Sequence, residues 1–221
     1  MDLPILAKDF NLIKWIGANS FRTSHYPYSE ELMDMADEEG IVVVDECPAV
    51  GLTQFNDVLL KQHLLTISEL IQRDKNRPSV AMWSIANEPR SREATAAEYF
   101  KKVAAHARSL DSTRPITAAI NMGYGDDKMS PSLDVLMINR YYGWYSDTGY
   151  TEVIEKQVKN EFMNWHKTYT KPIMISEYGA DTVSGLHQVF DYRFNSFVHQ
   201  IDYLIKRTRR LSSAKTMSRN S

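Results

Sequence analysis

The stretch Ser79-Val80-Ala81-Met82-Trp83-Ser84-Ile85-Ala86-Asn87-Glu88-Pro89 decides how this chain reads. It begins as a run of apolar and β-branched residues, the pattern of a buried strand. It closes on Asn87, Glu88 and Pro89. Proline brings no backbone N–H to a ladder, so the strand has to stop there. A carboxylate is thereby delivered to the end of a sheet, beside an amide able to hydrogen-bond a ligand. The plain alternative is a strand-terminating turn with a solvated glutamate, because three residues alone make a weak motif.

The segments on either side alternate in type. Leu6, Phe10, Ile13 and Trp15–Ile16 recur at helical spacing, and Gly17 is placed as the residue that ends the helix. Ser29 followed by Glu30 and Glu31 is a helix start, with acids at the positive end of the dipole, and Gly40 is its stop. Leu60, Leu64, Ile67 and Ile71 mark a helix over 58–73; Phe100, Val103, Ala104 and Ala107 mark another over 93–110; Val158, Phe162 and Trp165 mark a third over 151–169. Between them lie strands at 18–24, 41–45, 79–85, 115–120, 134–138 and 172–176. Strands this apolar are covered on both faces, and strict alternation with helices implies a parallel sheet. The fold class is therefore α/β, a (β/α)₈ TIM-type barrel. A doubly wound sheet is the runner-up, but its glycine-rich phosphate turn is absent from the sequence.

Composition narrows the function. Hydrophobic residues are 43% and charged residues 24% of the 221, a globular balance with net charge −2, so neither nucleic acid nor a membrane is an expected partner. No run of ~18 apolar residues suggests a membrane span. Residues 206–221 hold six Lys or Arg and no acid, leaving residues 1–205 with 20 bases against 28 acids. Such a basic, Ser-rich stretch reads as a disordered tail. The single cysteine, Cys47, excludes an intrachain disulfide and reads as a small buried hydrophobe. His63, His106, His166 and His199 lack metal-ligand spacing and read as structural or surface residues; no metal and no cofactor are expected.

Polar motifs cluster at the C-terminal ends of the strands: Arg22–His25, Asp45–Glu46, Asn87–Glu88, Asn139–Tyr145 and Glu177. In a TIM barrel that is where the active site forms. Two carboxyl groups, Glu88 and Glu177, at the ends of different strands suit cleavage of a glycosidic bond. One donates a proton to the leaving oxygen while the other attacks, and their surroundings set the two roles apart. Two solvated acids would be the bland reading. Asp45 and Glu46 are candidates to line the same site, or to hydrogen-bond behind it. Tyr142, Trp144 and Tyr145 offer apolar faces for a sugar ring, or simple packing.

Four separated motifs, FRTSHYPYSEELMDMADEEGIVVVDECPAVG, RDKNRPSVAMWSIANEP, NRYYGWY and ISEYGADTVSGLH, occur in an order that resembles the glycoside hydrolases of family 2, most closely the β-glucuronidases among them. The resemblance runs from about residue 3 to His187. It implies Glu88 as catalytic acid/base and Glu177 as nucleophile of a retaining double displacement on terminal β-D-glucuronides. It implies Asn87 at the sugar 2-hydroxyl, His25 in sugar contact, and Asn139, Tyr141 and Tyr145 in sugar binding or in orienting the nucleophile. It further implies glucuronides or oligosaccharides such as glycosaminoglycan as substrates, a homotetramer, and, from animal relatives, the lysosome.

The chain also departs from that pattern. It begins in what should be the first barrel helix, so about six of the eight strands are expected, the first and last being missing. The family's Trp-Asn-Phe-Ala-Asp-Phe and Asn-x-Lys motifs do not occur. The expected organisation is a partial catalytic domain over 1–187, a divergent amphipathic helix over 188–205 and the basic tail over 206–221. The missing strands would leave open apolar sheet edges. The expectation is that this chain alone shows little of the family activity. The alternatives are a catalytically silent fragment that binds sugar or full-length subunits, and, among enzymes, a β-galactosidase or β-mannosidase.

Overall fold

The computed structural model describes residues 2–180. The expected helix over 188–205, the tail over 206–221 and His187 lie outside them. The described elements are α1 (Leu3–Trp15), β1 (Ser20–Arg22), α2 (Glu30–Glu39), β2 (Val42–Glu46), α3 (Asp57–Asp74), β3 (Val80–Asn87), α4 (Ala96–Leu110), β4 (Ile116–Ile120), β5 (Leu136–Asn139), α5 (Ile154–Tyr169) and β6 (Ile173–Glu177), with short 3₁₀ turns at Ser130–Ser132 and Thr151–Val153. The strands form one six-stranded sheet in sequence order, β1 to β6, and β1 through β5 pair in parallel. This is an incomplete TIM barrel, with six strands among the described residues where a closed one has eight.

The chain divides into two compact units. The first is Met1–Ile138 with Trp165–Ser176; the second is Asn139–Asn164 with Glu177–Ser221. The first unit carries the sheet and the hydrophobic core. Ile116, Ala118, Ala119 and Ile120 of β4 are fully buried, as strands covered on both faces must be. Phe100, Val103, Ala104 and Ala107 form the inner face of α4, and Phe100 packs edge-on to Phe55 and Tyr99. The local signals behave as their chemistry requires. The Ser29 side chain accepts the Leu32 N–H at the start of α2, and Gly40 ends that helix at φ 68, a conformation glycine adopts without a side-chain clash.

The helix expected from Leu6, Phe10, Ile13 and Trp15–Ile16 is α1, whose Leu6 and Phe10 face meets the core while Trp15 and Ile16 are 81% and 66% exposed. One expectation needs correction: the strand expected to end at residue 85 runs on to Asn87. Its last residue is held by the loop after β2: Asn87 N–H donates to the Ala49 carbonyl at 2.9 Å, and Gly51 N–H donates to the Asn87 carbonyl at 2.8 Å. No helix among the described residues is long and apolar enough to cross a membrane.

Candidate active site

In the first unit the polar residues cluster where β1, β2 and β3 end. The sheet carries Asn87 to the end of β3 with 4% of its surface exposed. Glu88 follows with φ 46, the left-handed region that a residue with a Cβ enters only under constraint. The constraint is visible: Glu88 N–H donates to the Ala119 carbonyl of β4 at 2.9 Å, and Pro89 follows. Its carboxylate accepts from the Asn121 side-chain amide at 3.1 Å. Asn121 stands one residue beyond β4, a strand-end position like the others, and the sequence reading passed over it.

Behind Asn87 lies a buried charge network. Arg22, the last residue of β1, places Nη1 3.4 Å from Asn87 Oδ1 and 3.3 Å from Glu46 Oε2. Glu46 ends β2, is fully buried, and accepts the Ser84 hydroxyl at 2.7 Å. Its Oε1 faces His25 Nδ1 at 3.5 Å, and the His25 side chain is 42% exposed. Burial pushes the Glu46 carboxyl above its ordinary range, while the Arg22 charge and the Ser84 hydroxyl draw it back. His25, Asn87 and Glu46 are thus linked, and Glu46 takes the hydrogen-bonding role rather than lining a solvent-open surface.

Asp45 turns to different partners. It is fully buried, accepts the Thr23 hydroxyl at 3.1 Å, and meets Asp74 of α3. Its other oxygen, Oδ2, has no donor among the described residues. Burial and the neighbouring Asp74 carboxylate push its carboxyl up to about 7. Cys47 is buried and donates to the Ile85 carbonyl at 3.0 Å, with His63 Nε2 at 3.6 Å. His63 is held between the Tyr99 hydroxyl at 2.9 Å and the Ile85 carbonyl at 2.8 Å, and burial depresses it to about 4, so it is a neutral structural residue. Among the described residues no group of three or more His, Cys, Asp and Glu is arranged to hold a metal ion.

The second unit holds the other half of the expected residues. Glu177, the last residue of β6, accepts a short hydrogen bond from the Tyr141 hydroxyl, and its carbonyl accepts Arg140 N–H at 2.9 Å. Tyr141 meets Tyr145 edge-on, with centroids 5.2 Å apart, and Tyr145 is 78% exposed. Asn139, at the end of β5, is buried. Beside it, Arg140 binds Glu161 at 2.6 Å through Nη2, and Glu161 accepts the Tyr142 hydroxyl at 3.2 Å. Burial and the Glu161 charge push the Tyr142 phenol up to about 12. Of the aromatic trio, Tyr142 is therefore fastened into packing, while Tyr145 presents a free edge. The Arg140–Glu161 pair carries no sequence signal beyond its helix position.

Two kinds of chemistry stand ready in these clusters. A carboxylate held by a phenol, as at Glu177, is of the kind that can act as a nucleophile or an electrostatic partner. A carboxyl at a strand end, as at Glu88, is of the kind that can transfer a proton. The profile of "Glycosyl hydrolases family 2, TIM barrel domain" matches residues 1–216. The chain belongs to glycosyl hydrolase family 2. The family 2 match runs past His187, beyond the last of the four motifs. Among curated family 2 relatives, the β-glucuronidase of Homo sapiens is 54% identical over 190 residues, covering 85% of this chain and 29% of the relative. That of Sus scrofa is 49% identical over the same length. The chain thus spans under a third of the length of the curated relatives it matches. A solved β-glucuronidase of an uncultured Clostridium sp. superposes with a TM-score of 0.87 at 46% identity, over 91% of this chain and 37% of that one. The Ruminococcus gnavus β-glucuronidase in complex with uronic deoxynojirimycin gives 0.85 at 38% identity, over 93% and 38%.

Proposed function

We propose that this chain carries the catalytic residues of a retaining hydrolase of terminal β-D-glucuronides. The observation that carries the reading is Glu177, last residue of β6, fixed by the Tyr141 hydroxyl within a family 2 barrel sequence. Glu177 attacks the anomeric carbon while Glu88 protonates the departing oxygen, giving a covalent glycosyl-enzyme. Glu88 then takes a proton from water, whose oxygen displaces Glu177 and restores the β configuration. Asn87 and His25 contact the sugar, with Asn139, Tyr141 and Tyr145 binding it or orienting Glu177. The steps call for an acid and a nucleophile and for no metal. Glucuronides are favoured over galactosides or mannosides because a Ruminococcus gnavus relative is solved with uronic and glucaro-lactone ligands. Residues 1–187 form part of the catalytic domain in this reading.

A second reading is favoured by the 29% coverage of the relatives: sugar binding is present here, and turnover needs polypeptide beyond these residues. The test is incubation of the chain with an aryl β-D-glucuronide, following the released sugar by NMR. Hydrolysis giving the β anomer first supports the proposal; the α anomer first, or faster turnover of the galactoside or mannoside, overturns it. Saturable binding of D-glucaro-1,5-lactone without turnover supports the second reading, and no binding overturns both. Tyr141→Phe removes one hydrogen bond to a charged group, worth about 1.5–3 kcal/mol. Steady-state kinetics are expected to show kcat/KM lower by about 10- to 100-fold.

A further inference from the structure

Two buried atoms lie near each other, and neither has a hydrogen-bond partner among the described residues. His25 Nδ1 and Glu46 Oε1 each lack a hydrogen bond to the described residues, and they lie 3.5 Å apart. Buried polar atoms rarely go unpaired, because desolvation without a partner costs about 1–3 kcal/mol. A carboxylate oxygen only accepts, so a proton between the two atoms sits on nitrogen. The other Glu46 oxygen is already engaged, by the Ser84 hydroxyl at 2.7 Å and by Arg22 at 3.3 Å. That leaves Oε1 for the histidine alone.

We propose that Glu46 is a positioning residue that selects the Nδ1–H tautomer of His25 and, through Arg22, fixes the direction of the Asn87 amide. The ring's Nε2 is then an acceptor, on the side away from the buried edge. Arg22 Nη1 lies 3.4 Å from Asn87 Oδ1, which turns the amide nitrogen, a donor, toward the ligand. A hydroxyl group both donates and accepts, so His25 and Asn87 together present opposite polarity to neighbouring sugar hydroxyls. One buried carboxylate at the end of β2 thereby sets what two residues on other segments can recognise. This deepens the proposed glucuronide reading and rests on it for the ligand, but not for the tautomer.

The chemistry of the conservative variant makes the inference testable. Glu46→Gln keeps the shape of the side chain and an acceptor for Ser84. Its amide nitrogen turns a donor toward His25 Nδ1, and the ring proton moves to Nε2, placing a donor where an acceptor stood. The experiment is ¹⁵N NMR of the full chain with labelled histidine, at alkaline pH where an ordinary imidazole is neutral. The His25 signals are identified by their loss in His25→Gln. Wild type is expected to show protonated Nδ1, and Glu46→Gln protonated Nε2. D-glucaro-1,5-lactone is expected to bind folded Glu46→Gln about 10- to 100-fold more weakly. An Nε2–H ring in wild type overturns the proposal even if the variant does not fold. An unshifted tautomer in a folded variant overturns it as well. If no lactone binds wild type, the glucuronide reading fails, while the tautomer measurement still decides the role of Glu46.

Discussion

Glu177→Ala is expected to abolish hydrolysis of every β-glucuronide, whereas Glu88→Gln is expected to slow it by an amount that depends on the leaving group. The asymmetry follows from the two proposed roles. Without Glu177 no covalent intermediate forms, and a better leaving group does not supply the missing bond. Without the Glu88 proton, an alkoxide must depart unaided, and the loss is about 10²–10⁴-fold, the usual contribution of a placed acid. A nitrophenolate leaves without protonation, so the glycosylation step for a nitrophenyl glucuronide loses far less. Glutamine at 88 can still accept from Asn121, whose amide reaches the native carboxylate at 3.1 Å, so the local structure is kept. The kcat/KM values for nitrophenyl and alkyl β-glucuronides, which report the glycosylation step alone, compared between wild type and the two variants, check this. An equal loss of kcat/KM with both leaving groups in Glu88→Gln would reject Glu88 as the acid; a kcat/KM in Glu177→Ala equal to that of wild type would reject the nucleophile.

Asp45 predicts an unusual direction for stability. Its carboxyl is fully buried between the Thr23 hydroxyl, from the segment after β1, and Asp74 of α3, which in turn holds Arg73 at 2.9 Å and Arg77 at 2.9 Å. The unpartnered Oδ2 is where a proton must sit if the two carboxyl groups are to touch. In the folded chain Asp45 is raised to about 7, against 3.8 when the group is free. Between those values the folded state holds a proton that the unfolded state has released. The stabilisation is complete below the free value and is lost as pH climbs toward the folded one. The slope is on the order of 1.4 kcal/mol per pH unit at most, or a few degrees in melting temperature. Asp45→Asn supplies the donor permanently, since its amide nitrogen replaces the carboxyl proton. Thermal melts from pH 4.5 to 8 are expected to converge at acid pH and diverge above it, with wild type the less stable at pH 8. Parallel melting profiles for the two proteins would show that Asp45 and Asp74 do not share a proton.

The six strands and five helices were legible because periodicity and caps were strong: Ser29 and Gly40 bracket α2, and the valines of 42–44 announce β2. The family assignment was legible in four ordered motifs. What the sequence hid are partnerships made across the chain. The last turn of β3 was misplaced because Asn87 pairs with Ala49 and Gly51 of a loop, and no local pattern marks that exchange. Asp45 and Glu46 are adjacent acids with the same propensities, yet alternation along β2 sends them to opposite neighbours, one to a second carboxyl and the other to an arginine and a histidine. Asn121 was findable, since it follows an apolar strand as Asn87 and Glu177 end theirs.

The backbone at Glu88 carries an evolutionary implication. A glycine would occupy φ 46 at ease, where a residue bearing a Cβ gives up about 1–2 kcal/mol. Breeding this protein for heat resistance alone, with no screen for turnover, would therefore draw position 88 toward glycine. On the proposed reading, ruggedness and reactivity compete for the same residue.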